Sequence, residues 1–580
     1  MTAALGTQPV SLTDRLVARV LARVQAPQAL VVTPDPRGTG GFARGQQMLA
    51  GNFLMAGELV QALPGSVPFE ATTPAAVDAL HGFDWLDDLA AVGDRAARAL
   101  AQKGLVDWLA ACRKGQGPGW TPGLVGRRLI NWLSHAVWLM QTLEKPMQDR
   151  FLRALAHHGA FLARRAHRAP AGMARIDAQA GLLHASVSLQ GWEALKASAL
   201  RDLLASGQAL VGSDGSIPSR NPEELLHIFA RLAWAARLIV DQGGALSQDW
   251  LDLLGRCAGA LRVLRHADGG LARFHGGGRG NEAELIAALG LLDRLSSGQM
   301  QPPAARAMGY ARLAAGRVTV LIDAAPPPAG EGAGTAHAST LSFELTSNRR
   351  PVIVSCGDGR PFGADWQRAS RASASHSVLS LDGFSSSRFG GGDRARLNLT
   401  DGPQSVGCEF RHSTWSRVAA MSHDGYLASH GLEHLRYLDL SADGRILTGE
   451  DMLVAAGKSG RKRFDDVRAR AGEDGVPFSV RFHLHPDLEA SVDMNGTAVS
   501  VVLRSGEVWV FRADGLPVTL APSVYLEKGR LKPRPSLQIV LSLRTADYTT
   551  QVNWTFQKAQ ETPLAVRDTA ERDLLDVPDL

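Results

Sequence analysis

Histidines and charged residues at short spacings mark where this chain could do chemistry. His337 opens the stretch AHASTLSFEL (336–345), in which Thr340 and Ser342 alternate with Leu341 and Phe343. That period of two predicts a strand with one wet face. His483 and His485 also alternate, so they point to one side of a strand. The spacing can bind a metal, but no carboxylate or thiol partner is identifiable and a polar outer face is the simpler reading. Arg128 and Asn131 lie about one helical turn apart and share a face; they could hold a carboxylate and a hydroxyl. Trp120 and Trp132 nearby would suit stacking on a ligand ring, or fill a core. In SRNPEELL (219–226), Asn221 reads as a helix N-cap, Pro222 as the first helical residue, and Glu223 and Glu224 as first-turn acids. Arg220 beside them could grip a carboxylate in bidentate fashion. His184, between Leu183 and Ala185 on an amphipathic helix, reads first as a core histidine. The run GGGRGNE (276–282) is not a phosphate loop, because no Lys-Ser/Thr follows it and no strand precedes it.

Two different scaffolds must carry these residues. From residue 12 to about 298, apolar residues recur three or four apart, as in Leu124–Leu143, Met147–Ala163, Val187–Leu204, Glu224–Val240 and Asp249–Leu264. Clusters such as Gly115–Gly123 and Gly212–Pro218 separate these segments, and no strand-like stretch intervenes. An all-α array is predicted. After about residue 308 the period becomes two, with Val318, Val320 and Ile322, then the short runs VIVS (352–355), VLSL (378–381) and VSVVL (499–503). Asp382-Gly383, Asp443-Gly444, Asn495-Gly496, Ser505-Gly506 and Asp514-Gly515 are turn signals between them. Antiparallel sheets packed as a sandwich follow. The change falls near 299–308, at Gly298, Pro302 and Pro303. It divides the chain into a short N-terminal segment (1–30), a helical domain (31–305) and a sandwich domain (306–580), with Ala324–Gly334 as a loop early in the last.

The chain has 580 residues, more than one ordinary core holds. Hydrophobic residues at 45% and charged residues at 21% describe a globular protein rather than a disordered one. Lys plus Arg (62) barely exceed Asp plus Glu (57), which argues against a nucleic-acid partner but suits an anionic ligand. The basic stretch KSGRKR (458–463) reads as a solvated loop. Cys112, Cys257, Cys356 and Cys408 are scattered, without metal-binding or disulfide-framework spacing. Asp14, Arg15, Arg19 and Arg23 interrupt any secretory apolar region, and no apolar run is long enough for an integral membrane segment. A cytoplasmic location is expected, with the periplasm as the alternative. The oligomeric state is not legible.

Several stretches in order narrow the architecture: GRRLINW (126–132), DGSIPSRNPEELL (214–226), AHASTLSFEL (336–345), VIVSCG (352–357), SASHSVLSLDG (373–383), HLRYLDLSADGRILTGED (434–451) and RFHLHPD (481–487). Together they resemble the heparinase II/III family of polysaccharide lyases. The resemblance implies a multidomain α-plus-β chain: an N-terminal incomplete (α/α) toroid followed by a C-terminal antiparallel β-sandwich, with an acidic polysaccharide or oligosaccharide between them. It also implies β-elimination on a uronate. That reaction needs a group to neutralise the carboxylate, a base for the C5 proton and an acid for the leaving oxygen. His337 matches the family's sandwich histidine, the base or acid. Arg220, Asn221, Asn131 and Arg128 would handle the uronate, with His376 lining the site and Glu224 and His184 as further catalytic candidates.

Three departures stand out. The family's tyrosine is missing near Glu224 and Leu225, leaving Tyr310 and Tyr426 as unattached candidates for the acid. His184 lacks the adjacent Asn of the family's Asn-His pair. Ser339 and Cys356 replace ligand positions of the zinc-binding members, so no metal or other cofactor is expected. The missing tyrosine and the expected absence of a secretory segment favour, as the alternative to a lyase, a non-catalytic or repurposed protein that binds acidic glycans or precursors of the cell envelope. Glycoside hydrolysis by Glu224 with a second carboxylate is a third, weaker reading.

Overall fold

In the computed structural model, residues 9–562 are described except 26, 28, 36, 37, 39, 297–304, 391–397 and 473. The first half is helical, with principal helices Arg95–Ala111, Pro122–Ser134, Lys145–Arg165, Met173–Ser188, Lys196–Leu210, Pro222–Asp241, Gln248–Leu264 and Glu282–Leu295. Each buries one apolar stripe. Leu225, Leu226, Ile228, Phe229 and Leu232 of Pro222–Asp241, for example, join a core with Leu183, Leu203, Leu253 and Leu261. Pro122–Ser134 and Met173–Ser188 cross at Gly126 and Gly181. A Cβ on Gly126 would lie 2.2 Å from the Asp177 carbonyl oxygen, so only glycine permits this approach.

Two expectations for this half are corrected. Val187–Leu204 is not one helix: Met173–Ser188 ends, and Lys196–Leu210 starts afresh after a turn at Gly191, whose φ is +84°. The chain around Leu30 makes the break, because Val31 N–H donates to the Ser188 carbonyl at 2.9 Å. The half is also not free of strands. Asn52–Met55 and Glu58–Gln61 form a hairpin whose Ala56 and Gly57 both have positive φ, as a tight two-residue turn demands.

The second half is built mainly of two antiparallel sheets. The larger runs Thr519–Tyr525, Arg534–Thr545, Val476–Leu484, Arg350–Val354, Phe343–Ser347, Val318–Asp323, Tyr310–Ala315 and Arg306–Ala307, with Leu379–Leu381 joined at Val476–Leu484. The other runs Val406–His412, Ser416–Tyr426, Leu432–Ser441, Ile446–Val454, Thr549–Gln560, Val508–Ala513, Ala498–Val502 and Glu489–Asp493. Their inward residues alternate along each strand and meet in one core. Phe343 stacks on Trp554 at 5.9 Å between ring centroids, and Phe482 and Phe511 close around them. Gly383, Gly444, Gly496, Gly506 and Gly515 all take positive φ at the Asx-Gly and Ser-Gly turns.

Three local expectations in this half are overturned. KSGRKR is not a loop but lies in the exposed helix Gly457–Ala471. His337 does not begin a strand with a wet face. The strand starts at Phe343, Leu341 has φ +65°, and His337, Ser339, Thr340 and Ser342 are all buried. His483 and His485 lie on the face opposite the sandwich core, yet they are buried there, His483 against Ser523 and Ala374 and His485 against Tyr525. The Gly298, Pro302 and Pro303 signal lies in 297–304, outside the described residues.

The two halves are locked by buried polar contacts. Glu344 accepts from Arg273 N–H at 3.1 Å and pairs with His266 at 3.0 Å. Arg312 donates to the carbonyls of Val263 and Arg265, and Tyr310 stacks on Phe274. Among the described residues no helix is long and apolar enough to cross a membrane.

Candidate functional site

Where the helical half meets the larger sheet, seven residues expected or unexpected from the sequence form one chain of contacts. Arg220 reaches out of the turn before Pro222–Asp241 and meets Asp323, the last residue of Val318–Asp323, at 2.5 Å. The other Asp323 oxygen accepts from Ser339 Oγ at 2.6 Å and faces His275 Nε2 at 3.3 Å. His275 Nδ1 accepts the backbone N–H of His337 at 3.1 Å, which leaves the proton on Nε2, aimed at Asp323. His337 Nδ1 then lies 3.3 Å from His376 Nε2, and His376 Nδ1 3.0 Å from Ser355 Oγ.

Arg220 and His337 are thus brought into one cluster, but the cluster is sealed. His275 and His376 are fully buried and His337 is 2% exposed. The Arg220 fork is spent: besides Asp323 it donates to the carbonyls of Met308, Gly309 and Pro326. Its φ is +49°, as is that of His275, and Met308 and Leu341 beside them are also left-handed, a concentration of backbone strain at the seam.

Burial sets the protonation states. It lowers the pKa of His275, and holds His337, next to His376 and His275, neutral well below the usual imidazole range. His376 falls to about 3, from burial first and nearby His483 second. For Asp323 burial pulls upward, but Arg220 and His275 outweigh it and keep the carboxylate ionised.

A loop and a latch close the seam. Gly276–Gly278 packs tightly: a Cβ at Gly277 would lie 2.8 Å from Asn221 Oδ1, and one at Gly276 2.9 Å from Arg360 Nη2. Arg360 is bidentate to Asp358 and donates to the Gly276 carbonyl. Lys528 from the sheet half meets Glu223 at 2.5 Å, and Gly278 N–H donates to the same carboxylate. Against the upward pull of burial, these contacts bring Glu223 down to about 2.

The other expected site residues separate. Asn221 Oδ1 caps its helix by accepting from Glu223 and Glu224 N–H. Glu224 accepts from Ser219 Oγ at 2.5 Å. His184 does not face the seam; it is buried in its own helix, with Nδ1 at 2.7 Å from the Ala180 carbonyl. Arg128 and Asn131, expected to work together, point apart. Arg128 is fully buried over Trp108, donating to His158, His81 and Gly119, because the helix turns it into the tryptophan core. Trp120 and Trp132 are in that core, not on a sugar surface. Tyr310 and Tyr426 are buried and donate to the carbonyls of Arg220 and Leu379, so neither is a free acid.

Asn131 instead lines an open groove of about 360 Å³ on the helical half, with Asp84, Asp87, Asp88, Arg127, Asp177 and Arg231 among its walls. The groove's arginines are already paired: Arg127 with Asp84, Arg44 with Asp88, Arg231 with Asp177. Carboxylates outnumber cations there, which does not suit an acidic glycan.

Zinc does not fit the seam. Ser339 donates its hydroxyl to Asp323, and burial pushes the Cys356 thiol up to about 11, so it stays protonated beside His483. Among the described residues no three His, Cys, Asp or Glu are grouped to hold a metal.

Sequence reasoning missed His275, Asp323, Arg360 and Lys528. Asp323 carried a weak signal, a carboxylate ending the apolar run VTVLID; the other three carried none, since only tertiary packing brings them to the seam.

Comparison with known proteins agrees with this fold. Residues 298–555 match the model of the heparinase II/III-like C-terminal domain. FtsZ-localized protein C of Caulobacter vibrioides is 31% identical over 555 residues, covering 93% of this chain and 92% of that protein. Among solved structures, heparinase III is similar with a TM-score of 0.67 at 14% identity, over 93% of this chain and 88% of that one. A mutant of the heparan sulfate lyase HepC from Pedobacter heparinus gives 0.58 at 14%, over 90% and 83%. The toroid-like helical half and the two-sheet half are therefore those of this lyase fold, and the chain belongs to the heparinase II/III-like family.

Proposed function

We propose that this chain is a repurposed member of its family, a binding protein that does not cleave polysaccharide. One observation carries the reading: the matched histidine, His337, is sealed from solvent, and the arginine beside it has no N–H left for a uronate. β-Elimination requires a base that touches the sugar and a donor that neutralises its carboxylate. Here both groups are spent inside the protein. The relative named for its localization to FtsZ, similar along nearly the whole chain, supports a role in the same assembly, with cell-envelope glycan as the ligand class inherited from the fold.

The lyase reading retains one point in its favour, the contact between His337 and His376, which could pass a proton if the seam opened. A single assay separates the two. The protein is incubated with heparan sulfate, hyaluronan, alginate and pectin, and the ultraviolet absorbance of unsaturated product is followed. No product is expected from any of them. Turnover that disappears in His337→Ala would overturn the proposal. Co-sedimentation with FtsZ filaments tests the assembly; a chain that stays in the supernatant would remove that part.

A further inference from the structure

A cavity with unbalanced positive charge lies away from both the seam and the groove. On the outer side of the helical half, a cavity of about 460 Å³ opens between Lys145–Arg165 and the turn Arg113–Gly115. Arg113, Lys114, Arg150 and Arg153 line it, and no Asp or Glu does. Arg150 donates to the Leu109 carbonyl. The side chains of Arg113, Lys114 and Arg153 are exposed, and among the described residues none has a hydrogen bond or ion pair.

A second observation lies behind the inner wall. Trp108, Trp120, His157 and His158 line the cavity, and three of them also enclose Arg128. Arg128 is fully buried, yet its hydrogen-bond partners are two carbonyls and a neutral histidine, with no carboxylate. A buried charge without a counter-ion is costly. The tryptophan face and the two carbonyls offset part of that cost, but the positive field extends into the cavity. The groove makes the contrast, since there each arginine already has its carboxylate.

We propose that this outer cavity is an anion-binding site for a small polyanion carrying two or more phosphate or sulfate groups. Arg113, Lys114 and Arg153 would donate charge-assisted hydrogen bonds to it, and Arg128 would add to the field from beneath. The site is independent of the proposed function: it stands on unpaired cations, not on the loss of cleavage.

Pyrophosphate and sucrose octasulfate serve as probes, titrated calorimetrically into the full chain at low and at moderate salt. Both bind with one site per chain, and affinity falls as salt rises. Arg113→Ala with Arg153→Ala weakens binding at least tenfold. Two controls guard against general attraction to a basic protein. Lys458→Ala with Lys462→Ala removes the same charge from the exposed helix Gly457–Ala471, and Arg44→Ala alters the groove; both leave affinity within about twofold. No heat with either probe would overturn the site. So would equal weakening by the Lys458/Lys462 pair, or loss of binding in Arg44→Ala alone. Thermal unfolding of each variant without probe confirms that the fold is intact, since both pocket arginines are exposed and unpaired.

Discussion

The seam between the two halves and the groove of the helical half hold similar residues in opposite circumstances. At the seam, Arg220, Asp323, His275, His337 and His376 are buried and satisfy one another. In the groove, Arg127, Arg44 and Asn131 are partly exposed, and their pairs sit at the edge of water. The same ion pair contributes little in the second setting and is costly to break in the first. A lyase would need the seam to resemble the groove. Here the seam has become part of the protein's structural core, while retaining left-handed backbone at Arg220, His275, Met308 and Leu341.

Substitutions can sharpen or break that contrast. Asp323→Asn should have the largest effect, because it leaves the buried guanidinium of Arg220 without its carboxylate. A loss of about 3–5 kcal/mol in denaturant unfolding is expected; a loss below about 1 kcal/mol would mean water reaches the seam.

Acid should come next. The buried histidines have folded pKa values below the unfolded value, His376 at about 3, so the unfolded chain binds more protons as pH falls below 6.5. Their contribution to stability is complete above the unfolded pKa and is lost on going down toward the folded one. For His376, on the order of 1–2 kcal/mol should disappear between pH 6.5 and pH 5, with His275 and His337 adding losses in the same direction. Asp323 and Glu223, also depressed, add losses only at lower pH. His376→Gln should flatten the slope of unfolding free energy against pH in that window; an unchanged slope would show that His376 titrates normally.

Asn221→Ala removes the cap of Pro222–Asp241 and should cost about 1 kcal/mol, without touching the groove. Arg127→Ala, in the groove, should cost less than about 1 kcal/mol, since its pair with Asp84 is part-exposed. If Arg127→Ala proved as damaging as Asp323→Asn, the distinction between the two regions would fail.

How much of this was legible depended on whether the information was local. Asn221 announced its cap because capping needs only a side chain and the two N–H groups that follow it. The turns at Gly383, Gly444 and Gly515 were legible for the same reason. Arg128 was misread because helical spacing tells which residues share a face, not whether that face meets water or a tryptophan core. His337 was misread as half-wet because alternation cannot reveal a second layer packed over the supposed outer face. The break at Gly191 was missed because distant chain at Leu30 and Val31 makes it.

The sequence by itself determined the two scaffolds, their order and the family, since periodicity, turn chemistry and ordered motifs are properties of neighbouring residues. Only the tertiary structure decided the state of the chemistry. It joined Arg220 to Asp323 across 103 positions, closed the Gly276–Gly278 loop over Asn221, and left Arg113, Lys114 and Arg153 facing an open cavity. The reason is physical: an ionisable side chain acts according to its burial and its partners, and both are set by residues distant in the chain.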